Sequence, residues 1–420
     1  MKPLRHLRAS DVAAIAQLAA QATVGVTNMA EGVHQSVRGR IGFKAGKSPG
    51  QTTGIAALVY QSLRGATWLV GKGLDAVLAK LQPLFEAADQ AAPETTGREA
   101  VLAALNGVLG DHLAASGNPL AARMSLRFGG QPLMPRAWQQ ALPPGFKPSG
   151  KVLLLIHGLC MNDLQWRTTR QADPAGGAEV AFDHGAELAR ALGCTPIYLR
   201  YNTGLHTSQN GRALSNLLDE TLANWPTPIE SLTVVAHSMG GLVIRSAAHL
   251  ARQGNLPWLK HLKNIVFLGT PHHGAPLERA GNWVDVILGS TPYSKPFAKL
   301  GQLRSGGITD LRYGHVVDED WAGHDRFRKK PDSRQSVPLP QGVACFTVAA
   351  TTAPRRALLA ERLVGDGLVP LPSALGQHDD PQHRLKFGKT AQMIAYKTNH
   401  MQLLGSPEVS RQMLAWLRPN

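Results

Sequence analysis

Five residues, Ala236-His237-Ser238-Met239-Gly240, constrain this chain more than any other feature. They follow an apolar run of β type, Leu232-Thr233-Val234-Val235, and precede a helix-like stretch over 241–252. A serine on a sharp strand-to-helix turn presents its hydroxyl above the sheet edge, at the positive end of a helix. Small residues two places before and after it let strand and helix approach closely. Gly240 fills the second place and Ala236 the first, where glycine is the commoner occupant. The pattern is that of a nucleophile elbow and predicts a serine hydrolase.

The flanking sequence alternates strands and helices. Val152 to Ile156 is a continuous apolar run, as in a strand buried on both faces. The pattern predicts a helix over 178–192, a strand over 195–201 and a helix over 210–223. Further strands are expected over 232–236, 264–268, 343–349 and 392–396, and a closing helix over 407–417. Parallel strands joined by crossover helices argue an α/β class, with a mostly parallel, doubly wound sheet. The 420 residues exceed one ordinary domain. Residues 1–122 read as a helical N-terminal region, with candidate helices near 12–26, after the Gly-rich stretch 39–54, and over 98–109. Residues 123–150, rich in Pro and Gly, read as a linker, and 151–420 as the catalytic domain. Within it, 276–342 is too long for a bare loop and reads as an inserted cap or lid.

Serine needs a base, and in this topology the order along the chain is Ser, then Asp or Glu, then His. Asp366, in the glycine-flanked Gly365-Asp366-Gly367, and His400, past the last strand, supply that order. Sixteen histidines leave other pairings open, with His378 and His383 as bases and Asp379 or Asp380 as acids. The oxyanion hole needs two backbone N–H groups. Met239 provides one, and the loop His157-Gly158-Leu159-Cys160 the other, from Leu159 with Cys160 as second choice. His157, Gly158, Cys160 and His272 are expected to line the substrate site. Cys160 reads as a small core residue rather than a reactive thiol, and His237 as packing in the elbow. The turn 269–276 reads as a structural turn near the pocket.

Composition narrows the classes further. A formal charge of +15 fits a solvated basic surface or contact with an anionic membrane. No nucleic-acid-binding motif accompanies it. Ala45-Gly46-Lys47-Ser48 resembles a phosphate-binding loop, but Ile41 stands where that loop needs its first glycine. Three scattered cysteines fit neither a disulfide framework nor a zinc site, so no metal is expected. The most apolar stretch, 55–81, is interrupted by charges, and the basic N-terminus lacks the pattern of a secretory signal. A cytoplasmic location follows as an expectation, peripheral to the membrane if the basic charge meets lipid. Oligomeric state has no signal in the sequence.

Together, the segments 152–159, 236–241, 269–276, 365–370 and Asn399-His400 resemble bacterial lipase-type α/β-hydrolases, grouped with GPI-inositol-deacylase-like enzymes. The resemblance spans most of 150–420. It implies hydrolysis of carboxylic esters, often of lipids, through an acyl-enzyme and without a cofactor. Thioester hydrolysis or acyl transfer with the same three residues, or a non-catalytic membrane-surface protein of the same fold, remain alternatives.

Overall fold

The computed structural model describes residues 96–138, 142–171, 179–275, 305–323, 332–354 and 365–418. The candidate helices before residue 96, the Gly-rich stretch, the apolar stretch 55–81 and the segment Ala45 to Ser48 lie outside the described residues.

A long helix, α1 (Thr96–Ala115), comes first, followed by two short strands, β1 (Ser125–Phe128) and β2 (Gln131–Pro132). Then come β3 (Lys151–Ile156), β4 (Thr168–Gln171), β5 (Glu179–Phe182), α2 (His184–Leu192), β6 (Thr195–Arg200) and α3 (Thr207–Ala223). The chain continues through β7 (Ser231–His237), α4 (Met239–Gln253), β8 (Leu262–Leu268) and the short α5 (Gly306–Asp310). It ends with β9 (Ala344–Ala350), α6 (Leu371–Ala374), β10 (Gln392–Ala395) and α7 (Pro407–Leu417).

Eight strands form one sheet in the order β10-β9-β8-β7-β3-β6-β1-β2. The six from β10 to β6 are parallel, and β1 and β2 add an antiparallel edge. Alternation along β3 explains the two layers of helices. Val152, Leu154 and Ile156 join the core under α3 and α4, with Leu214, Leu218, Val243 and Ile244. Leu153 and Leu155 join the opposite core under α2 and α7, with Leu188, Val409 and Met413. From β3 the chain steps outward to β6, then returns across β3 to build β7. In open α/β sheets the crevice at the carboxyl ends of strands at such a reversal is where ligands bind.

Two departures from the sequence reading have clear physical causes. The helix expected over 178–192 begins only at His184. Glu179–Phe182 is instead a strand paired antiparallel with Thr168–Gln171. Asp183 divides the two elements. Its backbone is extended, and its carboxylate accepts hydrogen bonds from the Gly185 and Ala186 amides, as a helix N-cap does. The second departure is the segment 123–150, expected to be linker, which carries β1 and β2. Leu126, which is buried, pairs across to Leu199 of β6.

Helix α1 joins a third core at the carboxyl end of the sheet. Ala104, Leu105, Val108 and Leu113 pack there with Leu159, Met239 and Leu242, and with Ile308, Leu311, Val316 and Val337 of the insertion between β8 and β9. Two glycines set the approach. A Cβ at Gly107 would lie 2.1 Å from the Cys160 sulfur, and one at Gly110 would lie 1.8 Å from the Asn202 side-chain oxygen. Among the described residues no helix is long and apolar enough to cross a membrane.

Candidate active site

Parallel pairing of β3 with β7 sets Ile156 opposite Ala236, so the loop at His157-Gly158 emerges beside His237-Ser238. Ser238 holds φ 54° and ψ −125°, a conformation that side chains with a Cβ adopt at a cost of roughly 1–3 kcal/mol. A serine at a helix N-cap ordinarily accepts a hydrogen bond from the first turn. Ser238 makes no such side-chain bond. Among the described residues its buried Oγ has no hydrogen-bond partner. The backbone amide donates to the Leu268 carbonyl at 2.8 Å, which pins the turn to the end of β8.

Gly240 is obligatory in this geometry. A Cβ there would lie 2.6 Å from the Ile156 carbonyl oxygen and 2.7 Å from that of His157, and backbone on both sides leaves no room to yield. Gly240→Ala is expected to destabilise the protein by about 3 kcal/mol, the upper range for overpacking. Chemical denaturation measures this, and unchanged stability would show that the elbow is looser than drawn. Ala236, in the place where glycine is usual, is fully buried and accommodated.

Asp366 and His400 come together at the same end of the sheet. The His400 Nδ1–H donates to Asp366 Oδ2 at 2.6 Å, and both side chains are buried. The other carboxylate oxygen, Oδ1, accepts from the Leu368 and Val369 amides at 2.9 and 2.7 Å. The His400 amide in turn donates to the Asp366 carbonyl at 3.1 Å. Gly365, at φ 50°, makes the turn possible, since a Cβ would lie 2.0 Å from the Val369 carbonyl oxygen. The competing residues lie elsewhere. His378 stacks near His273 and His383, and the carbonyls of His378 and Asp379 accept from Arg384 on the exposed 378–384 turn.

The His400 ring sits among residues that flank Ser238. It lies 4.6 Å, centroid to centroid, from the ring of His237, whose Nε2–H donates to the His400 carbonyl at 3.2 Å. A Cβ on Gly269, the residue after Leu268, would come 3.1 Å from the same imidazole. Burial, reinforced by the nearby His400, holds His237 well below the ordinary histidine pKa, so it is neutral packing in the elbow.

The loop after β3 is fixed from beneath. The ring of His157 stacks on Tyr201 at 4.5 Å, and burial lowers its pKa to about 3. The Tyr201 hydroxyl donates to the His157 carbonyl at 2.9 Å. Gly158 faces Ser238, since a Cβ there would lie 2.9 Å from the Ser238 Cβ. The Cys160 N–H donates to the Thr203 hydroxyl at 3.1 Å, a contact with no sequence signal beyond the turn-forming Asn202-Thr203-Gly204. His272 lies deeper than a lining residue needs to be, its ring against Phe267 and Phe387. The turn 269–276 ties instead to the insertion and to α6: Ala275 N–H donates to the Leu311 carbonyl, and the Ser373 hydroxyl donates to that of Gly274.

Cys160 packs against Ala104 and Gly107 of α1, and burial pushes its thiol up to about 12. The native protein is therefore expected to leave Cys160 unmodified by a thiol reagent at pH 8, with reaction appearing only on denaturation. Peptide mapping decides, and rapid labelling of Cys160 in the folded state would contradict the packing described. Among the described residues, no group of three or more His, Cys, Asp or Glu side chains is placed to hold a metal ion.

Residues 147–333 match the family model of the PGAP1-like alpha/beta domain. The chain is similar in structure to the mature lipase BlEst2 of Bacillus licheniformis, at 17% identity and a TM-score of 0.40, over 70% of this chain and 97% of that one. It is similar to a lipase-esterase related protein from Clostridium acetobutylicum, at 12% identity and a TM-score of 0.35, over 70% and 99%. It is also similar to the phospholipase PlaB of Legionella pneumophila, at 13% identity and a TM-score of 0.33, over 53% and 45%. No curated protein sequence matches it.

Proposed function

We propose that the protein is a serine hydrolase of carboxylic esters, acting on lipid or other acyl esters through an acyl-enzyme. One observation carries the reading: a buried Asp366–His400 pair bonded at 2.6 Å, set beside a strained serine elbow whose hydroxyl no group among the described residues engages. In this reading Ser238 attacks the ester carbonyl, and His400 takes its proton and returns it to the leaving alcohol. Asp366 fixes the imidazole with its proton on Nδ1, which turns Nε2 toward the serine as base, and stabilises the imidazolium that forms. The Met239 amide, in the first turn of α4, is the first oxyanion donor, aided by the positive end of the helix. Leu159 supplies the second, because the Cys160 amide is already engaged by Thr203. Water completes the cycle by attacking the acyl-enzyme with His400 again as base, and no organic cofactor or metal takes part.

The substrate passes over Gly158, whose missing side chain keeps the approach to Ser238 open. The insertion between β8 and β9 and helix α1 share the core behind this loop, and so border the acyl site. The basic charge of the whole chain favours peripheral contact with an anionic membrane, where such substrates reside. Hydrolysis of p-nitrophenyl esters of rising chain length, assayed beside acyl thioesters, tests the substrate class. Ester turnover by the purified protein is expected. Turnover of thioesters alone, or of neither, would reject the ester reading.

A further inference from the structure

A second buried polar cluster lies between α4, the turn after β8 and the extended segment 332–337. Arg245 points inward from α4 and is buried. One terminal nitrogen, Nη2, donates to the Val337 carbonyl at 2.6 Å, while Nε and Nη1 have no hydrogen-bond partner among the described residues. His272, after β8, is also buried, and neither of its ring nitrogens has a partner among the described residues. Arg334, on the extended segment, binds the turn after β8. Its Nη1 donates to the His272 carbonyl at 3.4 Å and its Nη2 to His273 Nδ1 at 2.9 Å.

Two carboxylates face the two arginines, Asp320 acting on both through space and Asp332 on Arg334, but neither bonds to Arg245. Among the described residues no carboxylate forms an ion pair with Arg245. Asp332 pairs with Arg334 at 3.3 Å. The Asp320 oxygens accept from the Val316, Val317 and Gln335 amides. Burial, and then the neighbouring charge of Arg334, lower Arg245 only to about 9, so it is charged at neutral pH. Burial and the Arg245 charge hold His272 well below the ordinary range, leaving it neutral with one N–H to donate. A buried guanidinium is tolerated when its donors and its charge are both met. Water would meet the donors but not the charge.

We infer that this cluster is a structural site for a small monovalent anion of the chloride class, bound by Arg245 Nε–H and Nη1–H and by a ring N–H of His272. The anion staples α4, the helix that begins at the elbow, to the segment 332–337 at the end of the insertion. The site is separate from the ester chemistry and does not depend on it.

Crystals of the full chain grown with sodium bromide in place of chloride test the site directly. An anomalous peak within hydrogen-bond reach of both Arg245 and His272 is expected, and a water or nothing at that position overturns the inference. In solution, replacing gluconate by chloride at constant ionic strength is expected to raise the Tm by about 3 °C, as for a ligand near tenfold its Kd. Arg245→Met removes that increment. If this variant does not fold, His272→Phe serves, and the bromide measurement on the unaltered chain stands by itself. Equal Tm in gluconate and chloride, or stabilisation by inorganic phosphate alone, contradicts a monovalent-anion site.

Discussion

Ser238→Ala is expected to lower ester turnover by about 10⁴-fold or more while leaving the fold intact. The two consequences separate because the substitution removes one atom from a strained position without changing the strain. Alanine keeps a Cβ, so the residue at φ 54° pays the same conformational cost as serine. The lost hydroxyl makes no hydrogen bond among the described residues, so no partner there is orphaned. Stability should therefore stay within roughly 0.5 kcal/mol of the parent or rise slightly, since a buried unsatisfied hydroxyl is itself unfavourable. His400→Ala should lose a comparable factor. The double variant should lose little more, because groups that act on one proton transfer are not additive. Turnover preserved in Ser238→Ala would remove the nucleophile and the mechanism with it. Turnover and stability lost together would point to damage rather than chemistry.

The largest expected effect on stability lies at the other edge of the sheet. Asp163 accepts from Arg200 Nε through Oδ1, and its Oδ2 lies 3.2 Å from Arg127 Nε. Arg200 reaches on to Glu99 of α1 at 2.8 Å, and Glu99 also pairs with Arg98 at 2.6 Å. Four elements, α1, β1, β6 and the turn after β3, thus meet at one buried charge network. Removing one carboxylate leaves two arginines buried with reduced compensation, which costs about 3–5 kcal/mol in such settings. Asp163→Ala is expected to lower Tm by on the order of 10 °C. The exposed pair Arg190–Glu187 at 3.1 Å provides the contrast. Glu187→Gln should change stability by well under 1 kcal/mol, because water screens an exposed pair. Equal effects at the two sites would mean that the network around Asp163 is wet and that α1 is held by its apolar face alone.

Much of the fold was legible because buried parallel strands announce themselves as apolar runs. The run 152–156 lies within β3, and 232–236 within β7, since a strand covered on both faces has no polar alternation to confuse it. The edge was harder. Ser125–Phe128 is only four residues long, buries Arg127 beside Leu126 and stands among turn-forming Pro and Gly, so its sequence carries the mark of a linker. The helix expected over 178–192 reaches too far, because Val180 and Phe182, two places apart, share a strand face and not a helix face. The decisive sign was Asp183 followed by an amphipathic stretch, the ordinary mark of a helix start.

At the site, the elbow was readable because its requirement is local: a small residue at 240 and a strand before the serine. The distant partners were ordered by chain topology but not selected by it, with sixteen histidines available. What singles out Asp366 and His400 is a contact across 34 residues, which spacing does not encode. His157 and His272 illustrate the opposite limit. Their neighbours in sequence pointed to the site, yet their rings pack on Tyr201 and on two phenylalanines. Arg245 and Arg334 carry no sequence signal, since their importance comes from which groups they meet.

The most direct test of the central claim is covalent capture of the nucleophile. The folded protein would be treated with an alkyl fluorophosphonate and the adduct mapped by peptide mass spectrometry. One adduct, on the peptide holding Ser238, is expected, and His400→Ala should suppress it because the serine then lacks its base. Labelling of any other residue in place of Ser238, or no adduct on the folded chain, would contradict the account.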